Sequence, residues 1–245
     1  MKELEDYSWF PQIFRRYQAD YIGSLVKWLS VYRPIVVELE HLIGSSHPQF
    51  MQDLCSGSGI PAIYMQHHVK NIPQTMLSDK YSHKAFRDDP QMIYIRQSTD
   101  AITLTPLPRI CYTMYNAFHH FSREEQKELV RKMAESKNPF LFAEILQPGI
   151  LTLIRIVLAS TILQLLTAPF VKPFSLKRLC FTYIVPVNVL IVLIDGIISV
   201  FKSRSANYYR RAFKDMANSE FEISVGQYNS WKGGLIFIKG NPVNS

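Results

Sequence analysis

The stretch DLCSGSGIPA, residues 53–62, restricts the possible folds more than any other part of this chain. It follows a short apolar run, QFMQDL, and leads into a helix-compatible segment, PAIYMQHHVK. Gly57 and Gly59 let the backbone turn tightly and come close to a ligand, because no Cβ stands in the way. Amide groups at the start of the next helix then face whatever lies over the turn. About twenty residues further on, Asp79 ends a second strand-like run, TMLSD. A carboxylate at that offset is placed to accept hydrogen bonds from ribose hydroxyls. Together the two features read as a nucleoside-cofactor site on an α/β sheet.

The remaining pattern agrees. IGSLVKWLSVYRPIVVELEHLI has apolar residues at mixed spacings of three and four, broken near Pro34, so residues 1–48 read as an N-terminal helical segment. QFMQDL, TMLSD, MIYIRQ (92–97), RICYTMYN (109–116) and FLFAEIL (140–146) read as strands, and HKAFRDDP as a short helix or turn. Pro61 is compatible with the first turn of a helix. Ser122 with Glu125 makes a capping box that opens the helix SREEQKELVRKMAE. Near the end, NYYRRAFKDMANS reads as a helix, and FEISVGQYN and GGLIFIKGNP as the two strands of a hairpin. Strands alternating with helices in this way call for an α/β fold with a parallel sheet, right-handed crossovers and an antiparallel strand from the C-terminal hairpin.

This order of elements, with these motifs, resembles the class I S-adenosylmethionine-dependent methyltransferases. The resemblance covers residues 49–147 and 207–242 and implies a Rossmann-like, seven-stranded, mostly parallel sheet. The family's first motif has a D/E-x-G-x-G-x-G form; here Asp53, Cys55, Gly57 and Gly59 occupy it, with Cys55 in place of the first glycine. The resemblance gives Asp79 the ribose and puts Asp100-Ala101 where the family meets the adenine amino group. The stretch after the fourth strand, from Tyr115 and Asn116 through His119, His120, Phe121 and Ser122, is similar to the family's N-x-x-H-H-F-s pattern near cofactor and substrate. The implied cofactor is S-adenosylmethionine.

Between the fifth strand and the last helix lies an insertion that the minimal fold lacks. GILTLIRIVLASTILQLLTAPF (149–170) carries one charge, Arg155, and LCFTYIVPVNVLIVLIDGIISVF (179–201) contains Pro186, Asn188 and Asp195. Each is about long enough to span a hydrocarbon core of ~30 Å at ~1.5 Å per residue. The connecting loop, with Lys172, Lys177 and Arg178 and no acid, opposes a plain spanning hairpin whose domain is cytoplasmic. Arg155 and Asp195 would cost ~2.5–3.5 kcal/mol each near the bilayer centre unless they pair. Pro186 also interrupts a continuous helix. Three arrangements remain: a hairpin in or dipping into one leaflet, which is the expected one, a spanning hairpin with Arg155 paired to Asp195, and a lid over the active site or a second subunit. In all three the insertion (148–201) leaves the carboxyl edge of the sheet, where α/β proteins bind ligands. It is therefore expected to shape the acceptor pocket. The DGxxS pattern from Asp195 to Ser199 is similar to relatives with such an insertion, and Asp195 is expected to face that pocket.

Charge and cysteine usage narrow the class. The 245 residues carry a formal net charge of +7. Nucleic-acid binding is one reading of that excess, but Lys172, Lys177, Arg178, Lys202, Arg204, Arg210 and Arg211 flank apolar stretches, which favours an anionic membrane surface. Cys55, Cys111 and Cys180 are odd in number and lack ligand spacing, so neither a disulfide framework nor a metal site is expected. The polar, acidic start MKELEDYSWF is not a secretory signal, and a cytoplasmic placement follows, with membrane association through residues 149–201. The expected activity is methyl transfer to a small or apolar, lipid-like acceptor; homo-oligomerisation stays open. If the acceptor must lose a proton, His119, His120, Glu144 or Asp195 is the candidate base. Two other readings remain: a non-catalytic scaffold recruited by its apolar hairpin, and a nicotinamide-dependent oxidoreductase, for which Ala62 supplies a small residue at the helix start.

Overall fold

The computed structural model describes residues 2–81, 89–230 and 233–243. Among them, β1 (Phe50–Leu54), β2 (Thr75–Ser78), β3 (Met92–Tyr94), β4 (Ile110–Tyr115), β5 (Phe140–Glu144), β6 (Phe221–Ser230) and β7 (Gly233–Pro242) form one sheet in the order β3-β2-β1-β4-β5-β7-β6. β1 to β5 run parallel, and β7 enters antiparallel between β5 and β6. Every residue of β4 and β5 is buried, as parallel strands covered on both faces require.

Side-chain alternation along each strand divides the core in two. Cys111, Leu141, Leu235 and Phe237 face a layer containing Val26, Leu39 and Met65. These come from α1 (Gln12–Leu29), α2 (Val36–Ser46) and α3 (Ile60–His68). Ile110, Tyr112, Phe140, Phe142, Ile236 and Ile238 face the opposite layer, with Leu129, Met133, Tyr209 and Phe213. That layer is built by α4 (Arg123–Glu135) and by a second helix late in the chain, Ala206–Phe213. The capping box at Ser122 forms in both directions: Glu125 N donates to Ser122 Oγ (3.2 Å) and Ser122 N to Glu125 Oε2 (2.8 Å).

The insertion is helical. α5 (Ile150–Leu158) continues through a π-turn, Ala159–Leu163, into α6 (Gln164–Thr167). α7 (Leu176–Tyr183) and α8 (Val187–Lys202) meet at a 75° bend at Pro186, and α9 is the helix Ala206–Phe213. By length and composition, Ile150–Phe170 is the one segment among the described residues able to cross a membrane unaided; the bent pair qualifies only if taken together. α8 lies so close to α5 that a Cβ on Gly196 would fall 2.6 Å from Ile156 Cγ2.

Three expectations need correction. The third strand ends at Tyr94 rather than Gln97, because pairing with β2 stops at Leu77–Tyr94. Arg178 is not a membrane-facing cation: it is buried, with Nη1 3.4 Å from Asp20 Oδ2 and Nη2 donating to the carbonyls of Val171 and Pro173. Lys202 likewise turns inward, to Glu3 (3.1 Å). The expected turn HKAFRDDP lies mostly outside the described residues.

Candidate functional site

A cavity of about 1310 Å³ opens where β1, β2, β4 and β5 end, lined by the segments that follow them. At one pole stands the loop after β1. Cys55 adopts φ 54°, Gly57 φ 53° and Gly59 φ 71°, so three residues between β1 and α3 are left-handed. For Cys55 that conformation costs roughly 1–2 kcal/mol, and it is how a cysteine serves in the position expected for glycine. A Cβ on Gly57 would meet no atom within 4 Å, so the space beside this backbone belongs to the cavity. Gly57 N donates to Asp79 Oδ2 (2.9 Å), and Tyr81 N to Asp79 Oδ1 (2.8 Å). Each carboxylate oxygen thus keeps acceptor capacity for a ligand hydroxyl. Asp100 sits beyond, with Lys80 Nζ 2.8 Å from its Oδ2 and Ile102 N donating to its Oδ1 (3.0 Å). Its carboxyl is held below the usual range: partial burial alone would raise it, and the Lys80 bond overrides that. Ala101, Tyr115 and Asn116 complete this part of the wall.

Two residues of the glycine motif take a supporting place. Asp53 is 1% exposed and lies beneath the loop, where Thr113 Oγ1 donates to its Oδ1 (2.9 Å). Burial drives its carboxyl up to about 7 against the hydroxyls of Ser56 and Thr113, with the Asp79 charge adding to the rise. Gly59 is the N-cap of α3, at φ 71°.

The other pole is formed by the turn after β4. His119 is buried, and its Nδ1 lies 2.7 Å from Glu144 Oε2. Glu144 Oε1 also accepts from the backbone of Phe118 (2.6 Å) and His119 (3.2 Å). Glu144 therefore stands behind His119 and does not line the cavity. His119 Nε2 has no hydrogen-bond partner. His120 is part-buried, with Nδ1 3.1 Å from Asp6 Oδ1 and Nε2 3.5 Å from Glu3 Oε2 and 3.7 Å from Glu5 Oε1. Burial on its own would lower the His120 pKa. The Asp6 hydrogen bond and the charges of Glu3 and Glu5 outweigh it, and the value rises to about 9. Asp195 is among the residues lining the cavity, and its oxygens accept from Leu4 N (2.6 Å), Glu5 N (3.3 Å) and Gln18 Nε2 (3.2 Å). It acts as an anchor for the N-terminal turn, Leu4–Asp6.

That turn was not foreseen as part of the site. Arg15, buried on α1, holds it by donating to the carbonyls of Glu5 (2.9 Å) and Tyr7 (3.0 Å), with its guanidinium 4.3 Å from the Tyr81 ring centre. In the sequence MKELEDYSWF shows only an acidic start, and nothing local tells which far residues its acids meet. The insertion adds the apolar side chains of Ile156, Leu163 and Leu166 to the wall, with Arg155 and Ser160 among them.

The fold is similar to that of solved structures. Human N-acetylserotonin methyltransferase, in complex with S-adenosylmethionine, superposes with a TM-score of 0.53 at 12% identity over 93% of this chain and 56% of that one. The S-adenosylmethionine-dependent methyltransferase SibL, in its apo form, gives 0.52 at 11% identity over 98% of this chain and 61% of that one. The chain thus spans less than two thirds of the length of either. No protein-family model matches it, and no curated protein does. The fold is that of the class I S-adenosylmethionine-dependent methyltransferases.

Proposed function

We propose that this chain transfers a methyl group from S-adenosylmethionine to a small apolar or lipid-like acceptor at a membrane surface. One observation carries the reading: a single cavity joins Gly57 and Asp79 to the turn of His119 and then to the apolar wall of the insertion. The residues at the first pole suit the cofactor. Asp79 has unused lone pairs on both oxygens to take ribose hydroxyls, and the open side of Gly57 leaves room for the backbone to meet the methionine part. Asp100, with Ala101 behind it, is the acceptor for an adenine amino group. When bound, the cofactor supplies a methyl group on a sulfonium that is already an activated leaving group. The protein's task is then alignment of the acceptor and exclusion of water.

Among the candidate bases, Glu144 and Asp195 spend their carboxylates on backbone and side-chain donors. His119 lines the cavity and is oriented through Nδ1 by Glu144; its Nε2 has no hydrogen-bond partner and is buried, 3.8 Å from Glu3 Oε1. It is the candidate imidazole for an acceptor hydroxyl, which reaches Nε2 once Glu3 draws back. The membrane part of the proposal rests on the apolar segment from α5 into α6, where Leu151 and Ile154 are exposed away from the cavity and Leu158, Ile162 and Leu166, which also line it, are exposed as well.

Calorimetric titration of the purified chain with S-adenosylmethionine and S-adenosylhomocysteine tests the cofactor. Saturable heat and a raised unfolding temperature are expected, and Asp79→Ala should weaken binding by about tenfold or more, the loss of hydrogen bonds to a charged acceptor worth ~1.5–3 kcal/mol. A wild-type chain that gives neither heat nor thermal protection would leave a non-catalytic scaffold as the better reading.

A further inference from the structure

We infer that Glu3, His119 and His120 form a binding site for a divalent transition-metal ion in the cavity wall. The inference goes beyond the methyltransferase reading and does not depend on cofactor binding, but a bound ion would take the His119 Nε2 that the reading offers to the acceptor. One carboxylate oxygen and one ring nitrogen from each histidine lie within 4.8 Å of one another. His119 Nε2 stands 3.8 Å from Glu3 Oε1, and His120 Nε2 3.5 Å from Glu3 Oε2. Ligand atoms held at ~2.1 Å around a tetrahedral ion are ~3.4 Å apart, so the set, whose atoms lie within 4.8 Å of one another, must draw together on binding.

Three features separate this group from an ordinary polar cluster. His119 is 2% exposed, yet its Nε2 has no hydrogen-bond partner. Leaving a buried polar atom so costs about 1–3 kcal/mol, and a metal ion would satisfy it. The other nitrogen of each ring is held by a carboxylate: Glu144 Oε2 at 2.7 Å from His119 Nδ1, and Asp6 Oδ1 at 3.1 Å from His120 Nδ1. An ionised carboxylate only accepts, so both rings present a proton at Nδ1 and turn Nε2 toward Glu3. Outer carboxylates acting on the far nitrogen are how proteins fix the tautomer of metal-binding histidines and raise their basicity. Finally, all three residues line the cavity. Two histidines and a glutamate with a free coordination position are the donor set of catalytic zinc sites. The free position would take an oxygen donor, such as a hydroxyl or carboxylate of a small molecule in the cavity. In the metal-free chain Lys202 Nζ, 3.1 Å from Glu3 Oε1, sits against the same carboxylate and must give way.

The test is a titration of the full chain, stripped with a chelator, with Co²⁺ alone and no S-adenosylmethionine. One equivalent should bind with the visible absorption of a low-coordinate Co²⁺ site, and Zn²⁺ should bleach it. Glu3→Gln and His120→Gln should each weaken binding by about tenfold or more, whereas Glu128→Gln, on the exposed face of α4, should bind as the wild type does. Circular dichroism checks that each variant is folded; if Glu3→Gln is not, His120→Gln carries the comparison. Absence of a saturable band, or equal affinity in the folded variants, overturns the inference. Because the cofactor is titrated separately, metal binding without cofactor binding would sink the methyltransferase reading alone, and the reverse outcome would sink this one alone.

Discussion

Asp53 shows how one side chain at the foot of the site sets a pH dependence. Its carboxyl is fully buried, and the loss of water pushes it from 3.8 up to about 7 despite the Thr113 and Ser56 hydroxyls. Below about 3.8 the group is protonated in both folded and unfolded chains, and it contributes no slope. Between there and about 7 the folded chain holds a proton that the unfolded chain releases, so stability falls as pH rises through this window. Asn at this position keeps an oxygen for Thr113 and removes the ionisation. Asp53→Asn should therefore abolish that slope and stand on the order of 1–3 kcal/mol above the wild type at pH 8. Urea unfolding at a series of pH values measures both; a gap that stays constant from pH 4 to pH 8 would refute the assignment. At the same scale, the glycine loop was legible as a motif because its backbone demands are local. The exchange of roles within it was not: Asp53 lies beneath the loop, and its register against Thr113 depends on the pairing of β1 with β4.

At the scale of elements, the insertion separates two kinds of apolar residue that look alike in the sequence. On α8, Ile191, Val192 and Ile198 are buried. On α5, none of the nine residues is fully buried, and Ile154 and Leu158 are each 49% exposed. An apolar face left outside a folded chain marks a contact with a membrane or a partner. Ile154→Glu with Leu158→Glu should reduce co-sedimentation with vesicles of anionic phospholipid several-fold and leave the unfolding temperature nearly unchanged. Val192→Glu, which buries an unpaired charge, should instead lower that temperature by several degrees. Unchanged vesicle binding in the double variant would count against a membrane-facing α5. The helices themselves were readable from composition, and Pro186 correctly marked a break. Their inner and outer faces were not, because both sides of α5 and α8 are apolar and only packing against α1 and against each other tells them apart.

Across the whole molecule, the N-terminal turn ties the insertion to the sheet. Asp195 on α8 accepts from Leu4 and Glu5, 191 and 190 residues away in the chain. Asp6 meets His120, 114 residues away, and its carbonyl accepts from Tyr81 (3.0 Å). Glu3 meets Lys202, 199 residues away. Such separations explain why the local order of strands and helices could be read from periodicity while this part of the site could not: a hydrogen bond across most of the chain leaves no spacing to detect. They also make Asp195 a junction between three elements, the turn, α1 through Gln18, and α8. Asp195→Ala would leave two backbone amides and a buried side-chain amide without their acceptor, at about 1–3 kcal/mol for each group that water cannot reach. The expected outcome is a loss of several kcal/mol in global stability, together with faster amide exchange at Leu4 and Glu5, while amides in the central strands β1 and β4 keep their order of protection. Asp195→Asn retains one acceptor oxygen and should recover part of the protection. Were exchange at Leu4 and Glu5 to match the wild type in Asp195→Ala, the turn would be held by Arg15 of α1 instead, and this wall of the cavity would not depend on Asp195 for its shape.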